Sequence, residues 1–447
     1  ASSLEELTSK GLDRMPDFGA HSITVPGAVH GWETLIKAHG TMPLSEVLKP
    51  AIQYAEDGYP VSDVISFQWS TEQKKLMQVP SGEEMLLNGI PPKQGEVMRI
   101  PTLGRTLRAI AEGGAVAFYQ GEIGPKIAAF VQQQGGWISA EDMAAHTSDW
   151  EEPISTDYRG VTCWELPPSD HGLAALEALN IAEGFDIPSM GAQSAHAYHH
   201  LVESMRLAFA DAFRYIADPS KVAVPTKEML SKEFAAQRRS LIDPIQAMTT
   251  VPYGQVQTGG DTVYISVVDG KGNACSFIYS VYSNFGTGMV VPGTGIVMHN
   301  RGSLFSLDKD HPNALAPNKR PYHTIIPGMT TVNGELQLCY GVMGAFMQPQ
   351  GHLQVISNMV DFGMDPQQAL NALRFMISSD VVSLEEGVPP ELVTELERRG
   401  HRTTIISSYY RGITGGVGGA QMIQRDPATG VLRGASEPRK DGCAVGW

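Results

Sequence analysis

Near residue 250 the hydrophobic pattern of this chain passes from the period of helices to the period of strands. Before that point, ETLIKAHG, SEVLKPAIQYAEDGYP, TLGRTLRAIAEGG and GEIGPKIAAFVQQQGG carry apolar residues at helical spacing and end near Gly or Pro. HGLAALEALNIAEGFD and AHAYHHLVESMRLAFADAFRYIADP continue the pattern, preceded by a short strand-like YRGVTCWELPP. Beyond residue 250, TVYISVVD and NACSFIYSVYS are β-branched and aromatic, joined by a tight turn at Gly270-Lys271-Gly272. HTIIPGMTTV and ELQLCYGV form a second strand pair around Asn333-Gly334, a dipeptide suited to a two-residue hairpin. One helix is expected over Gly351 to Phe362, and another from Pro366 to Arg374 with Asp365 as its N-cap. The tail TGGVGGAQMIQRDPATGVLRGASEPR reads as a last hairpin. A helix-rich front and a sheet-rich back, without internal repeats, predict an α+β layered domain.

Between the halves lies VPTKEMLSKEFAAQRRSLIDPIQAMTTVPYGQVQTGGD, whose end is polar and Gly-rich. So long a connection in a compact domain reads as mobile or processed. It stops one residue short of Thr262.

Composition removes several function classes. The 447 residues hold 33 Lys plus Arg against 48 Asp plus Glu, a net charge of −15. That surface repels phosphate backbones, so no nucleic-acid partner is expected. No apolar run approaches the roughly 20 residues that span a bilayer, so no membrane partner is expected either. Cys163, Cys275, Cys339 and Cys443 are scattered, with no CxxC and no metal-type spacing. They fit a reducing compartment and leave two long-range bridges open. No charged and then apolar leader opens the chain. Its abrupt start at ASSLEEL reads as what remains of a longer sequence, so a cytoplasmic setting is expected with the periplasm left open.

By itself Thr262 is an ordinary strand threonine. Its neighbourhood changes that reading. GDTVYISVVDGKGNACSFIYSVYSNFGTGMVVPGTGIVMHN resembles, without a gap, the start of the small subunit of γ-glutamyltransferase-like enzymes. TVPGAVHGW (24–32), PLSEVLKPAIQYAEDGYPVS (43–62), ESMRLAFADAFRYIADP (203–219), PNKRP (317–321) and GASEPRKDGCAVGW (434–447) extend the resemblance over essentially the whole chain. The resemblance implies a four-layer αββα sandwich of the N-terminal-nucleophile type. It implies self-cleavage between Asp261 and Thr262, giving a large subunit 1–261 and a small subunit 262–447. A dimer of such processed pairs stays open. No cofactor and no metal are implied.

The chemistry suits that assignment. A threonine hydroxyl is a weak nucleophile and needs a base nearby. Cleavage would free the α-amino group of Thr262, with an ordinary pKa of about 8, within reach of its own hydroxyl. By resemblance, Ser280 supplies the hydroxyl that steadies the nucleophile. The family's Gly-Gly oxyanion pair falls on Gly344 and Ala345, and backbone donors survive the alanine if its φ stays negative.

Where the family grips an α-amino acid with Asn, Gln and Asp, this chain carries Tyr282, Arg301 and Leu304. His323 and Thr324 replace two serines. Leu304 cannot pair with an ammonium, and Arg301 would repel one. The substitutions predict a substrate with a carboxylate and no α-amino group, held by Arg301 with Tyr282 and His323 as donors. A structural ion pair is the plain alternative for Arg301. The family's N-terminal segment, with an arginine that clamps the substrate carboxylate, is absent from this sequence. The bulk of Tyr282, Phe346 and Met347 favours a small acyl group, which points to an oxamate-type amidohydrolase of purine-nitrogen catabolism. A glutaryl-cephalosporin acylase, a γ-glutamyl transferase or glutathione hydrolase, and a silent binding or scaffold relative remain as alternatives.

Two further patterns are weighed. His196, His199, His200 and Glu203 sit at helical spacing and could hold a metal, but a polar helix face with one packed histidine explains them more simply. GAVHG, TGGVGG and GTGMVVPGTG lack nucleotide-loop spacing and read as turns.

Overall fold

The computed structural model describes residues 2–251, 261–407 and 416–447, with Asp261 described by its backbone alone. The Gly-rich end of the connecting stretch (252–260) and the first residues of the tail segment (414–415) lie outside them. The chain forms two compact units. Unit 1 holds 1–150, 281–309 and 314–318, and unit 2 holds 151–280, 310–313 and 319–447. Both units cut across the expected boundary at 261/262.

Unit 1 is helical and apolar inside. Its main helices are α1 (Ala28–His39), α2 (Lys49–Asp57), α3 (Pro101–Tyr119) and α4 (Ile123–Gln133). Pro50 and Pro101 stand in the first turns of α2 and α3, where a missing N–H goes unnoticed. The expected single helix over 45–57 breaks ahead of Pro50, leaving a separate short turn at Leu44–Val47. Ile110, Phe118, Ile127, Val131 and Met143 fill the main core, with Met289, Val291 and Met298 packed among them.

Unit 2 holds the layered structure. Strands β1 (Ile154–Tyr158) and β2 (Val161–Glu165) precede helices α5 (Gly172–Glu183), α6 (Ala195–Tyr215) and α7 (Lys232–Arg239). Then come β3 (Asp261–Val268), β4 (Ala274–Tyr282, whose last two residues belong to unit 1), β5 (Gly328–Val332), β6 (Glu335–Met343), α8 (Met347–Val360) and α9 (Pro366–Asn371). The last elements are β7 (Phe375–Ser378), β8 (Val381–Glu385), α10 (Pro390–Arg398), β9 (Arg402–Ile406), β10 (Gly419–Arg425) and β11 (Leu432–Ser436). One antiparallel sheet runs β11-β10-β6-β5-β2-β1. The β3–β4 hairpin is separate, and so is a three-stranded sheet β7-β8-β9 whose second pair is parallel.

The period of two along β6 explains the layers. Gly341 faces β3 so closely that a Cβ there would lie 2.4 Å from the ring of Tyr264. On the other face, Tyr340 packs its ring 4.6 Å from that of His352 on α8. Hairpin, six-stranded sheet and helices thus form three successive layers.

The short hairpins match their sequences. Asn333 (φ 53) and Gly334 (φ 82) adopt the left-handed pair that the tight turn requires. In the β3–β4 turn Asp269 Oδ1 accepts the N–H groups of Lys271 and Asn273, each at 2.9 Å. The tail hairpin is β10–β11.

Several expectations shift. The helix placed at 351–362 begins a turn earlier, at Met347, because Gln348, Gln350 and Gln354 are buried on it and bond to backbone. Gln350 exchanges two hydrogen bonds with Ile377, and Gln354 two with Phe375. The side chains act as a substitute strand along β7, which would otherwise be a bare sheet edge. Asp365 does cap α9 with a full capping box, but the helix stops at Asn371, where Ala372 turns extended (ψ 135). In HTIIPGMTTV only Gly328–Val332 is strand, since Pro327 has no N–H for the ladder. The face of α6 expected to be polar is buried: His199, His200 and Glu203 are each at most 2% exposed.

Candidate active site

Thr262 is the second residue of β3 and points inward. It is 7% exposed, as is its inward neighbour Tyr264 at 8%, whereas Val263, Ile265 and Val267 lie outward and about half exposed. The hairpin turn pairs Asp269 with Asn273, and counting seven residues back along each strand sets Thr262 opposite Ser280. Their side chains meet accordingly: Thr262 Oγ1 donates to Ser280 Oγ at 3.0 Å. Asp261, on the other side of the expected cleavage point, belongs to the same strand.

Gly344 and Ala345 form the turn from β6 into α8. Gly344 sits at φ 131, and a Cβ there would come 3.1 Å from Gly418 Cα and 3.2 Å from Met347 Cβ. Ala345 sits at φ 51. The condition attached to the alanine in the sequence, a negative φ, is therefore not met. The left-handed conformation costs a non-glycine residue about 1–2 kcal/mol and persists only where the surroundings fix it. Here the Met347 N–H donates to Gly344 O at 2.9 Å and the Gln348 N–H to Ala345 O at 3.0 Å. Among the described residues neither the Gly344 N–H nor the Ala345 N–H donates to a protein acceptor. Both stand ahead of the first turn of α8, where the helix dipole favours negative charge.

His323 and Thr324 lie in the extended run before Pro327. The His323 N–H donates to Ser169 O at 2.9 Å, and its Nδ1 lies 2.9 Å from Asp170 Oδ1. Thr324 is buried at 1% exposure. Phe346 and Met347 are also interior. Phe346 packs among His171, Phe213 and Tyr322, with ring centroids 5.3 to 5.9 Å away. Met347 joins Ile406 and Val417 in a small core.

Unit 1 carries the other two residues. β4 runs from Ala274 to Tyr282, so Tyr282 follows Ser280 by two positions on one strand. Tyr282 ends that strand at φ 74, a strained value for an aromatic residue. The guanidinium carbon of Arg301 lies 4.7 Å from the centre of its ring. Arg301 is 3% exposed, so it is no surface ion-pair residue. Burial pushes the Tyr282 hydroxyl well above the usual tyrosine range, with Arg301 pulling the other way. The phenol therefore keeps its proton and can donate. Leu304 closes the short turn Arg301–Leu304.

The helical histidines are structural. His199 Nδ1 bonds His401 Nε2 at 2.8 Å and its Nε2 bonds Asp243 O at 2.8 Å. Glu203 pairs with Arg206 at 2.7 Å and accepts the Met248 N–H at 2.8 Å. No group of three His, Cys, Asp or Glu among the described residues could hold a metal ion. All four cysteines are free. No helix among the described residues is long and apolar enough to cross a membrane.

Asp170 escaped the sequence reading, because nothing near HGLAALEALNIAEGFD signals a partner 153 residues away. So did a buried ionic cluster. Glu437 of the GASEPR tail bonds Arg374 at 2.9 Å and Arg439 at 2.7 Å, and Arg439 also pairs with Glu385. Arg374 donates to Val417 O at 3.2 Å, beside the Gly418 that Gly344 abuts.

Comparison with known proteins agrees in direction. The profile described as gamma-glutamyltranspeptidase matches residues 2–447. The glutathione hydrolase-like YwrD proenzyme of Bacillus subtilis (strain 168) is 35% identical over 445 residues, 98% of this chain and 83% of that one. The oxamate amidohydrolase proenzyme of Klebsiella pneumoniae is 33% identical over 461 residues, covering 100% of this chain and 85% of its own. A crystal structure of cephalosporin acylase from Bacillus halodurans superposes with a TM-score of 0.93 at 43% identity, covering 100% of this chain and 82% of that one.

Proposed function

The chain belongs to the gamma-glutamyltranspeptidase family, and from that premise we propose that it hydrolyses a small carboxylate-bearing amide of the oxamate type. Family members are N-terminal-nucleophile amidohydrolases and acylases, with threonine as the usual nucleophile. The observation that carries the reading is the bond from the Thr262 hydroxyl to Ser280 at 3.0 Å, at the buried head of a strand.

Cleavage after Asp261 releases the α-amino group of Thr262, and the products are a large chain 1–261 and a small chain 262–447. That amine takes the proton as Thr262 Oγ attacks the amide carbonyl. The N–H groups of Gly344 and Ala345 receive the oxyanion. The tetrahedral species collapses to an acyl-threonine ester, and the proton leaves with the departing ammonia or amine. Water, deprotonated by the same amine, then frees the acid. Arg301 takes the acyl carboxylate, with Tyr282 and His323 as further donors. No α-ammonium is accommodated, because Arg301 repels it and Leu304 cannot pair with it. The four-layer sandwich is part of the same proposal.

A second reading, an acylase for longer acyl groups, is favoured by the 43% identity to the Bacillus halodurans cephalosporin acylase. Phe346 and Met347 are used in the core of unit 2, so the argument for a small acyl group rests on Tyr282.

The test offers the protein oxamate, a glutaryl amide and γ-glutamyl-p-nitroanilide in parallel. Ammonia from oxamate, lost in Thr262→Ala together with self-cleavage, is the expected result. Arg301→Ala is expected to leave cleavage intact and raise KM about tenfold or more, as loss of a charge-assisted pair does. Rapid turnover of the γ-glutamyl compound would sink the pocket argument, and preference for the glutaryl amide would select the second reading.

A further inference from the structure

The strained turn at Gly344–Ala345 needs something to hold it, and the sequence around it supplies an unassigned pair. His352, one turn into α8 and fully buried, reaches back across the turn. Its Nε2 accepts the Val342 N–H at 3.2 Å, and its Nδ1 lies 2.5 Å from Glu165 Oε1. We propose that His352, oriented by Glu165, is the positioning residue that fixes the Gly344–Ala345 turn for oxyanion binding. The proposal rests on the functional reading above and assigns how that turn is set.

Sheet topology explains why the bond is needed. β5 starts at Gly328, which pairs with Tyr340, so Val342 lies past the end of its neighbour on that side. Its N–H finds an acceptor in the imidazole instead of a strand. Gly351 permits the approach, because a Cβ there would lie 2.6 Å from Val342 Cγ1. The bond joins residues ten apart, and everything between them is the end of β6, the turn and the first turn of α8. Gln350 Nε2 closes the same loop from inside by donating to Phe346 O at 2.9 Å.

The proton inventory is unambiguous. A ring nitrogen that accepts an N–H carries no proton, so the proton of His352 sits on Nδ1 and is donated to Glu165. Tyr340 OH donates to the same carboxylate oxygen at 3.4 Å. Glu165 thus fixes both the tautomer and the ring orientation, and His352 fixes where β6 ends. An error of a fraction of an ångström at Ala345 moves an N–H away from the developing oxyanion while leaving the carboxylate-binding residues untouched. The signature is therefore a fall in kcat with KM unchanged.

The experiment compares His352→Leu, which removes the acceptor, with His352→Gln, which keeps an acceptor oxygen on the same helix position. His352→Leu is expected to lower kcat roughly tenfold to a hundredfold, below the loss from removing an oxyanion donor outright. KM should stay within about twofold. His352→Gln should recover most of the loss. Adding Ala345→Gly, which removes the left-handed penalty, should restore part of kcat in the His352→Leu background. Should His352→Leu not fold, Glu165→Met/His352→Leu, which buries no lone carboxylate, takes its place. Amide exchange of the peptide covering 341–347, followed by mass spectrometry, reads the turn without any substrate and should quicken in the leucine variant. Unchanged exchange, or KM rising in step with the fall in kcat, overturns the proposal. An inactive unaltered protein would count against the functional reading instead, and the exchange result would still decide this one.

Discussion

The two compact units fill their interiors by different means. Among the described residues of unit 1 the buried charged side chains are Glu72 and Arg301, and the cores are mainly Ile, Leu, Val, Met, Ala and Phe. Unit 2 buries Glu165, Glu177, Glu203, Arg206, Asp211, Asp218, Arg374, Glu385, Arg399, Glu437 and Arg439, besides five histidines. Apolar burial stabilises without caring about direction. Buried ions gain little net energy but demand particular partners at particular distances. The unit that carries Thr262, Ser280 and the Gly344–Ala345 turn is the one whose interior dictates geometry. The lone buried cation of unit 1, stacked on Tyr282, is the exception, and it is the residue read as binding the substrate.

That contrast can be broken most directly at the Glu437 cluster. Arg439→Met takes from Glu385 its charged partner, leaving it the Arg374 backbone N–H, and takes one of the two arginines from Glu437, and is expected to cost about 3–5 kcal/mol in denaturant unfolding. A cost below about 1 kcal/mol would mean that the network is incidental. The matching probe in unit 1 is Ile127→Ala, in a fully buried site. A cost of about 2–5 kcal/mol is expected, set by how far α3 and α4 can close the cavity. Its size should change little between pH 5 and 8, because the phenol in that core, Tyr119, is pushed well above the usual tyrosine range by burial.

Acid should separate the two units further. Burial holds His401 down to about 3 and His200 down to about 4. In the unfolded chain both return to about 6.5. Between these values the unfolded chain binds protons that the folded one does not. Stability from these groups is therefore complete above about pH 6.5 and is lost as the pH falls toward 4 and then 3. His401 faces His199, Arg206 and Arg399, which reinforce the shift, and the Glu203 carboxylate 4.0 Å from its Nδ1. Glu177, raised by burial and by Asp211, keeps its proton in the fold and acts in the opposite sense. Regional hydrogen exchange should show unit 2 loosening first on acidification, and His401→Gln should flatten the slope. Uniform loosening of both units would erase the distinction.

The same contrast explains what could be read from the sequence. Unit 1 follows hydrophobic period and Pro placement, so its helices were legible from local pattern, as were the Asn333-Gly334 and Asp269–Asn273 turns of unit 2. Thr262 and Ser280 follow from hairpin register once the resemblance points to them. Asp170, Glu165, His352 and the Arg374–Glu437 pair did not show, because each bond joins residues far apart in sequence and a buried charge looks like a surface charge in a string of letters. The buried glutamines of QPQGHLQ were overlooked for a related reason: a helix that feeds a strand edge with side-chain amides has no period of its own. The left-handed φ of Ala345 is not legible either, because alanine gives no warning of such a position.

The smallest expected effect concerns Asp170, and it tests whether polar positioning in unit 2 extends to the substrate. His323 and Asp170 are 27% and 19% exposed at their side chains. An ion pair that open to water contributes at most about 1 kcal/mol to stability, so a melting experiment is the wrong instrument. The pair matters if it turns the far nitrogen of His323, as a proton donor, toward an acyl carboxylate. Asp170→Asn keeps an acceptor oxygen and should raise KM for oxamate only about twofold, whereas Asp170→Ala frees the ring and should raise it about tenfold, with kcat little changed in both. Arg301→Ala in unit 1 sets the scale, since it removes a charge and not an orientation. If Asp170→Ala leaves KM as it was while Arg301→Ala raises it, carboxylate recognition belongs to unit 1 alone and His323 has no part in it.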